Sequence, residues 1–431
     1  MRSICLIILC ALATTAGAAE TWVRCGASVD VAEGRLTGAL TLVVVDDAID
    51  RVLDGHPGAG NDAEIVDVSE MTCLPGLMDM HTHLTSQSSP TRYTEAFTLN
   101  EADIALRSTV YARRTLDAGF TTVRDVGDSF NTSIALRDAI EAGHVPGPRI
   151  FTSGKSLATT GGHADPTNGW RDDLMGTPGP RDGVLNGVAE AREAVRQRYK
   201  DGADLIKITV TGGVLSVAKS GLAPQFRPDE VEAVIETARD YGMHVAAHAH
   251  GKEGMIRAIT AGIHSIEHGT MMDDEVFALM KEHGTWYVPT IMAGKFVAEK
   301  AEVDGYYPAL VRPKAREIGP MIQETFGRAW KAGVKIAFGT DSGVSLHGDN
   351  AEEFIFMVET GMSPADAIRA ATINAAELLG VEDRAGALEA GNWADIIAVS
   401  GNPLEDVSTL GQVAFVMKAG KVHKRPLNPD Y

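Results

Sequence analysis

Histidine and aspartate residues recur in this sequence where short apolar segments end. His81 and His83 follow LPGLMDM, His248 ends VAAH, His268 follows SIE, and Asp341 follows FGT. His81 and His83 are two residues apart, so on an extended strand both side chains point to the same side and can hold one ion. Imidazole and carboxylate groups are suitable ligands for zinc and similar divalent cations. Their recurrence at corresponding points of successive segments predicts a metal site.

Lys207 stands inside DLIKITV, an almost wholly apolar segment. Burial in such a strand costs an ammonium group its hydration and drives the lysine towards its neutral form. A neutral amine reacts with carbon dioxide to give a carbamate, whose two oxygens can bridge two cations about 3.5 to 4 Å apart. Taken alone, Lys207 is better explained as a lysine that reaches solvent or forms an ion pair. The histidines on neighbouring segments reverse this preference and favour a bridged two-metal site.

The candidate ligands lie on segments that alternate with amphipathic helices. Eight β-like segments follow one another: LPGLMDMH, TTVRDVG, RIFTSGK, DLIKITVTGG, MHVAAHAH, HSIEHGT, WYVPT and KIAFGTDSG. Helical spacing of apolar residues fills intervals such as PDEVEAVIETARDYG, where Pro228 and Asp229 form a start and Gly242 a stop. The alternation predicts an α/β fold, a (β/α)₈ TIM-like barrel with its chemistry at the carboxyl ends of the strands. An open doubly wound sheet is the alternative, but no G-x-G-x-x-G follows the first strand.

Two long segments rich in Gly, Pro and Asp follow predicted strands, at residues 161–183 and 343–350. Loops that follow barrel strands lie on the catalytic face, so both segments are candidate lids. A plain surface loop is the alternative for each.

Both ends of the chain differ from the middle in the pattern of their β-like segments. Residues 19–73 alternate β-rich runs such as TLVVV with polar turns, and ADIIAVS and VAFVMKAGKVH repeat this pattern within residues 385–431. The two ends therefore predict one composite β-sandwich beside a barrel of residues 74–384. Cys25 and Cys73 could form a disulfide in an oxidising compartment, and the sequence leaves this pairing open.

Residues 1–18 have the features of a Sec signal peptide. Arg2 precedes an apolar run from Ile4 to about Ala13, and Ala16-Gly17-Ala18 has the A-x-A form of a cleavage site. The apolar run is too short for an uncleaved membrane anchor. We therefore expect a periplasmic or secreted mature protein.

The chain is acidic, with a formal net charge of −19 at pH 7. Such a surface repels phosphate backbones and anionic lipid headgroups, so nucleic acids and membranes are not expected partners. The content of hydrophobic residues, 44%, is ordinary for a soluble globular protein. The expected partner is a small molecule.

The motifs PGLMDMHTHL, VAAHAHG, EHGT and GTDSG, together with the strand-borne Lys207, resemble those of the amidohydrolase superfamily. The resemblance extends from about Cys73 to Ser400, and the flanking segment AGALEAGNWADIIAVSGNP is similar to the composite sandwich of that family. The spacing of Lys207, His248 and His268 and the GGHAD segment resemble the imidazolonepropionase-like and Xaa-Pro dipeptidase-like group. That group includes carboxypeptidase-type dipeptidases and ochratoxin-hydrolysing amidohydrolases.

The resemblance implies two divalent ions and a role for each ligand. One ion would be held by His81, His83 and Asp341 and a second by His248 and His268, with carboxylated Lys207 bridging them. Zinc is favoured by the histidine-rich set. A deaminase with one ion would not need Lys207, so its presence favours hydrolysis without excluding deamination.

Two cations lower the pKa of a bound water and polarise a carbonyl, a combination that attacks amides. Asp341 is the candidate general base, and it can pass the proton on to the departing amine. His163, in TGGHAD, resembles a family histidine that stabilises the oxyanion, and His250 lies two residues beyond a ligand. The alternatives are a loop histidine for His163 and a residue that orients a ligand for His250. His347 could line the pocket entrance.

The resemblance implies cleavage of a dipeptide or N-acyl amino acid with release of the C-terminal amino acid, the phenylalanine amide of ochratoxin included. The substrate carboxylate would need a cation or backbone donors, and Lys219, Arg227 and the Gly212-Gly213 turn are candidates that the sequence does not rank. A lactonase, a cyclic amidine or imidazolone hydrolase, or a deaminase on the same scaffold is the alternative. Relatives commonly form symmetric multimers, so a homo-oligomer is expected.

Overall fold

The computed structural model describes residues 20–61 and 63–426, and the signal-peptide prediction for residues 1–18 lies outside them. The strands in chain order are β1 (Glu20–Asp30), β2 (Arg35–Thr37), β3 (Leu40–Val45), β4 (Ala48–Asp54), β5 (Glu64–Pro75), β6 (Leu77–Thr82), β7 (Phe120–Asp125), β8 (Arg149–Thr152), β9 (Ile206–Thr209), β10 (Val245–Ala249), β11 (Ser265–His268), β12 (Trp286–Val288), β13 (Ile396–Val399), β14 (Phe415–Lys418) and β15 (Lys421–Lys424).

Helices fill most of the intervals between the barrel strands. In chain order they are α1 (Arg92–Glu95), α2 (Glu101–Asp117), α3 (Thr132–Glu141), α4 (Asp172–Met175), α5 (Val188–Asp201), α6 (Pro228–Asp240), α7 (Lys252–Thr260), α8 (Asp274–His283), α9 (Ile291–Lys300), α10 (Arg312–Lys331), α11 (Glu352–Glu359), α12 (Pro364–Ala370) and α13 (Ile373–Leu379). The start of α6 follows its sequence signals, since Pro228 is in the first turn and the Glu230 carboxylate accepts from the Arg227 N–H at 2.8 Å.

Seven of the strands form two parallel sheets, β6-β7-β8 and β9-β10-β11-β12. Single backbone hydrogen bonds join the two sheets. After β8, the Leu157 N–H donates to the Lys207 carbonyl at 2.7 Å, and the Thr209 N–H donates to the Leu157 carbonyl at 3.0 Å. These bonds continue the sheet from β8 to β9.

The eighth barrel segment, residues 335–341, is not a regular strand, although the sequence predicts one. It still closes the barrel, because the Ala337 N–H donates to Tyr287 in β12 at 3.0 Å and the Phe338 carbonyl accepts from Met80 in β6 at 2.8 Å. Gly339 permits this close approach, since a Cβ there would lie 2.3 Å from a methyl carbon of Val288. The predicted (β/α)₈ barrel is therefore confirmed, with an irregular segment in the place of its eighth strand.

The two ends of the chain form a second, β-rich sheet in the order β15-β14-β13-β5-β1-β3-β4, with β2 paired to β1. The long strand β5 joins the two halves, because it pairs with β1 in parallel and with β13 in antiparallel orientation. The core of this β-rich domain includes Val23, Leu42, Ile396 and Phe415, all fully buried. Strand pairing between distant parts of the chain thus builds the domain beside the barrel. No helix among the described residues is long and apolar enough to cross a membrane.

Cys25 in β1 and Cys73 in β5 form a disulfide, the pairing that the sequence left open. Both cysteines are fully buried in the core of the β-rich domain. The bond closes a loop across a sequence separation of 48 residues, which limits the freedom of the unfolded chain.

We expect the Cys25→Ala/Cys73→Ala double variant to lose about 2 to 4 kcal/mol of unfolding free energy, because the unfolded chain regains the entropy that the cross-link removes. Urea denaturation followed by circular dichroism measures the loss. Reduced wild-type protein serves as the control and should match the double variant. An unchanged urea midpoint in both would show that the cross-link does not stabilise the domain.

Candidate metal centre

Residues from opposite ends of the barrel sequence meet where β6 joins the irregular eighth segment. Asp341 Oδ1 lies 3.3 Å from His83 Nε2 and 3.6 Å from His81 Nε2. All three side chains offer ligand atoms within 4.8 Å of one another. Asp341 Oδ1 is buried and has no hydrogen-bond partner in the part of the chain that the structure describes. A carboxylate oxygen and two imidazole nitrogens facing one another in this way fit a cation between them.

Each of these two histidines is fixed through its other ring nitrogen. His81 Nδ1 donates to the Glu267 carboxylate at 2.8 Å, and His83 Nδ1 donates to the Gly127 carbonyl at 2.7 Å. Both bonds set the ring orientation and turn Nε2 towards Asp341. Burial lowers the pKa of His83, but Asp341 outweighs burial and raises it. Burial and the nearby Lys207 cation lower the pKa of His81 to about 4. His81 is therefore neutral at pH 7, the form that binds metal.

His248 and His268 form the other half of the cluster. Their ring centroids are 4.6 Å apart, and the His268 ring is 4.9 Å from that of His81. His248 Nε2 donates to the Gly212 carbonyl at 3.1 Å, while His268 Nδ1 shares a hydrogen bond of 2.8 Å with the Thr290 hydroxyl. Among the described residues, each ring again keeps one nitrogen free of hydrogen bonds, so this pair could serve as ligands to a second ion.

Lys207 lies in the middle of β9, between the fully buried Ile206 and Ile208. Because side chains alternate along a strand, Lys207 points to the opposite face from these two residues, into the barrel. Burial lowers the pKa of its amine to about 8, although the carboxylates of Glu267 and Asp341 act in the opposite direction. A substantial neutral fraction at pH 7 to 8 makes this amine open to carbamate formation.

A buried ion pair beneath the cluster was missed by sequence reasoning. The fully buried Glu267 carboxylate accepts from Arg124 Nη2 at 2.7 Å and from the Ser265 hydroxyl at 2.5 Å, in addition to His81. Arg124 Nε also donates to the Met80 carbonyl at 2.6 Å. Burial by itself raises the pKa of Glu267, but Arg124 and His81 outweigh it and hold the pKa well below its usual range. Glu267 is thus a permanent anion that orients His81.

Asp79, two residues before His81, was also missed. It is fully buried and accepts hydrogen bonds from the Thr340 hydroxyl at 2.6 Å and from the Asn350 side chain at 2.8 Å. These contacts tie β6 to the eighth segment directly below Asp341. Burial raises the pKa of Asp79 to about 6, against the effect of its hydrogen bonds. A charged residue inside the apolar run LMDMH was the sequence signal for this role.

Three non-glycine residues of the site have left-handed backbone conformations: His268, Thr290 and Asp341, with φ of 69°, 57° and 58°. Each follows or ends a barrel strand, where the chain leaves the sheet. Such conformations cost energy for residues with a Cβ and cluster at functional sites. The fold therefore holds three residues in strained backbone conformations: the candidate ligand His268, its hydrogen-bond partner Thr290 and the candidate base Asp341.

The two candidate catalytic histidines both join the cluster. The His163 ring stacks on His248 with centroids 4.2 Å apart, and its Nδ1 is buried without a hydrogen-bond partner among the described residues. His250 lies 4.6 Å from His248 and 5.1 Å from His268, and its Nδ1 shares a 2.8 Å hydrogen bond with the Thr270 hydroxyl. Both rings stand beside His248, a candidate ligand, and their catalytic roles stay predictions.

The segment of residues 211–221, which follows β9, is held by Lys314 in α10. The Lys314 ammonium donates to the carbonyls of Gly213, Ser216 and Ala218 at 2.9 to 3.0 Å. Gly213 packs directly against His163, because a Cβ at this position would lie 2.1 Å from the imidazole ring. This loop therefore forms the wall behind His163 and His248.

Other sequence candidates lie away from the cluster. Lys219 is exposed, and the exposed Arg227 side chain pairs with Asp229 at 3.6 Å. His347 is not at an open entrance: it is buried, donates to the Ser86 carbonyl at 2.8 Å and stacks on Tyr111. It supports the segment that follows His83.

The barrel, the irregular eighth segment and the cluster of six histidines with Lys207 and Asp341 define a hydrolase of the (β/α)₈ class with a candidate metal centre. Residues 72–423 match the amidohydrolase family. The chain belongs to that family and is a hydrolase that acts on C–N bonds.

Individual relatives agree with this assignment. Ochratoxinase from Aspergillus niger is 35% identical over 374 residues, which cover 82% of this chain and 76% of that protein. The crystal structure of a Xaa-Pro dipeptidase with bound methionine in the active site has a TM-score of 0.91 and 51% identity, covering 94% of this chain and 100% of that one. A prolidase complexed with N-methylphosphonate-L-proline has a TM-score of 0.86 and 31% identity, with 94% and 100% coverage.

We expect Glu267→Gln to weaken metal binding on the order of 10- to 100-fold. The Glu267 carboxylate orients the His81 ring and makes it more basic, and the variant lacks this anion. Zinc titration of the metal-free protein, with circular dichroism as a check on folding, measures the effect.

Glu230→Gln is the matched control, since Glu230 is also buried and accepts backbone hydrogen bonds, but from Gly187 and Arg227. It should bind zinc as the wild type does. Unchanged zinc affinity in Glu267→Gln would show that the ion pair supports the fold and not the metal centre.

Proposed function

We propose that this protein is a two-metal amidase of the carboxypeptidase or dipeptidase type, which releases the C-terminal amino acid from dipeptides or N-acyl amino acids. The observation that carries this proposal is the placement of Lys207. Its amine is buried, has a lowered pKa and lies on the strand next to β10, so a carbamate there could bridge two ions. Carboxylated Lys207 and zinc at both positions are part of the proposal.

The chain's own residues supply binding, orientation and proton transfer. Ions held by His81, His83, His248, His268 and Asp341 would supply a water of lowered pKa and polarisation of the substrate carbonyl. Asp341, whose Oδ1 is free of hydrogen bonds among the described residues, accepts the water proton and delivers it to the leaving amine. His163 and His250, with one imidazole nitrogen each free of the contacts described above, donate to the developing oxyanion.

The relatives support an amino acid as one half of the substrate. The similar Xaa-Pro dipeptidase holds methionine in its active site, and the similar prolidase holds a proline phosphonate. Ochratoxinase extends the range to an N-acyl amino acid. We therefore include cleavage of ochratoxin A to ochratoxin alpha and phenylalanine among the reactions to test.

We also propose that the mature protein works in an oxidising compartment, the periplasm or the outside of the cell. The signal-peptide features of residues 1–18 and the Cys25–Cys73 disulfide support this location. The expected homo-oligomer stays a prediction.

Zinc-loaded enzyme should release the C-terminal amino acid from members of a panel of N-acyl amino acids, dipeptides and ochratoxin A. Lys207→Met should reduce turnover to background, because the bridging group is lost while the side-chain length is kept. Mass spectrometry of the products and metal analysis of the variant measure both effects. Lys418→Met is the control, since Lys418 is a partly buried lysine with a lowered pKa and donates to the Gly147 carbonyl outside the cluster.

Lactones in the same panel test the main alternative. Opening of a lactone with every amide left intact would contradict the amidase proposal, while leaving the metal site in place. Full turnover by Lys207→Met would contradict the bridging role.

Asp341→Asn should lower kcat on the order of 10²- to 10⁴-fold, because the amide cannot accept the water proton. Parallel metal analysis separates this effect from loss of a ligand. Asp349→Asn changes an exposed carboxylate of the same loop and should leave kcat unchanged. Equal kcat values for both variants would exclude Asp341 as the base.

A further inference from the structure

The carboxyl group of Glu353, in α11, is fully buried and has no part in the chemistry proposed above. Its two oxygens accept hydrogen bonds from the backbone of α9: Oε1 from the Ile291 N–H at 2.9 Å and Oε2 from the Met292 N–H at 2.6 Å. These residues are the first two of α9, where N–H groups have no partner within a helix. Glu353 therefore binds the start of α9 from outside that helix.

The residue before this start, Thr290, does not cap the helix itself. An ordinary N-cap residue has an extended backbone, and its side-chain oxygen accepts from an N–H group of the first turn. Thr290 instead has φ of 57° and ψ of 44°, and its hydroxyl does not bond to the N–H groups of α9. The hydroxyl forms its 2.8 Å hydrogen bond with His268 Nδ1. Glu353 thus takes over the capping task, which leaves the Thr290 hydroxyl to the candidate metal ligand.

Thr290 is fixed from two sides. Its own N–H donates to the Gly339 carbonyl of the eighth barrel segment at 3.1 Å, and the next two N–H groups donate to Glu353. A left-handed backbone is unfavourable for a β-branched residue and persists only where the surroundings enforce it. The bonds to Gly339 and Glu353 provide that enforcement, so the position of the Thr290 hydroxyl depends on Glu353.

We propose that Glu353 is a positioning residue for the second metal ion, an inference that rests on the proposed function. Glu353 holds Thr290 so that its hydroxyl accepts the His268 Nδ1 proton, which keeps the lone pair on Nε2 for the ion. Glu353 itself stands outside the ligand set, because both of its oxygens are engaged by α9. Without this carboxyl group, Thr290 can relax, and His268 exchanges between its two neutral tautomers.

The first test uses ¹⁵N NMR of histidine-labelled, metal-free protein, so neither metal nor turnover is needed. Wild-type His268, assigned by the loss of its signals in His268→Gln, should show one neutral tautomer with the proton on Nδ1. In Glu353→Gln, the side chain keeps its size, but its amide group points a donor at one of the α9 N–H groups. Both His268 tautomers should then be populated.

Glu230→Gln is the matched control for this measurement. Glu230 is also buried and accepts two backbone hydrogen bonds at the starts of helices, from Gly187 before α5 and from Arg227 before α6, at 2.6 and 2.8 Å. Neither helix start carries a partner of a candidate metal ligand. The His268 tautomer in Glu230→Gln should therefore match that of the wild type.

The second test is calorimetric titration of the metal-free protein with zinc. The wild type should bind two ions, and Glu353→Gln should weaken one binding step on the order of 10- to 100-fold while leaving the other unchanged. The weakened step should be the one that His268→Gln removes. Thr290→Val, which keeps the side-chain shape without the hydroxyl, should reproduce this effect. Adding Glu353→Gln to Thr290→Val should cause no further loss, because both changes act through one hydrogen bond.

A purely structural role of Glu353 predicts different results. Equal weakening of both zinc steps, or additive losses in the double variant, would overturn the proposal. The same holds for a wild-type His268 tautomer in Glu353→Gln, or for a proton on Nε2 in the wild type. If circular dichroism shows that Glu353→Gln does not fold, Glu353→Asp replaces it, since the shorter acid cannot reach both N–H groups. An unchanged tautomer and unchanged zinc binding in Glu353→Asp would then overturn the proposal.

The two measurements also separate this proposal from the proposed function. Binding of a single zinc ion by the wild type would contradict the two-metal site. A change of the His268 tautomer in Glu353→Gln, absent in Glu230→Gln, would still support the positioning role in that case. Two zinc steps that both stay unchanged in Glu353→Gln would overturn the positioning role and leave the two-metal site in place.

Discussion

The burial of charge at one end of the barrel is the constraint on which the rest of the structure depends. Lys207, Arg124, Glu267 and Asp341 are all buried there, in a medium that penalises every unpaired charge. Arg124 balances Glu267 directly, whereas Asp341 faces the imidazole nitrogens of His83 and His81, and Lys207 has no ion pair among the described residues. The same burial, with Lys207 nearby, keeps His81, His248 and His268 neutral. A set of neutral imidazoles around an anion and a partly neutral amine is prepared for cations, which would supply the missing positive charge.

The geometry of the site depends on departures from regular structure. The eighth barrel segment lacks the continuous hydrogen-bond ladder of a regular strand. At Asp341 its backbone adopts a left-handed conformation, which turns the carboxylate towards His81 and His83. Asp79 holds this bend from below through Thr340 and Asn350. Strain of about 1 to 3 kcal/mol per such residue persists only where the surroundings enforce it. The buried network around Asp79 provides that enforcement.

The barrel and its loops divide the work of the enzyme. Strand ends supply the candidate metal ligands, and this part relates the chain to amidohydrolases that act on different substrates, such as ochratoxinase and the Xaa-Pro dipeptidase. The segments after β6 and β9 and before α10 form the mouth, joined by Tyr93, Tyr306 and Lys314. We expect substrate selection to depend on these loops, because loops can change there without disturbing the buried charges.

The sequence by itself determined the barrel, the β-rich domain made from both chain ends and the grouping of His81, His83, His248, His268, Lys207 and Asp341. These conclusions were accessible because strand alternation and ligand spacing are local patterns, and parallel strands bring their carboxyl ends to one edge. Only the tertiary structure decided the Cys25–Cys73 pairing, the irregular eighth segment and the ion pair of Arg124 with Glu267. Each of these depends on contacts between residues that are distant in the chain. The spacing of residues along the chain does not predict such contacts.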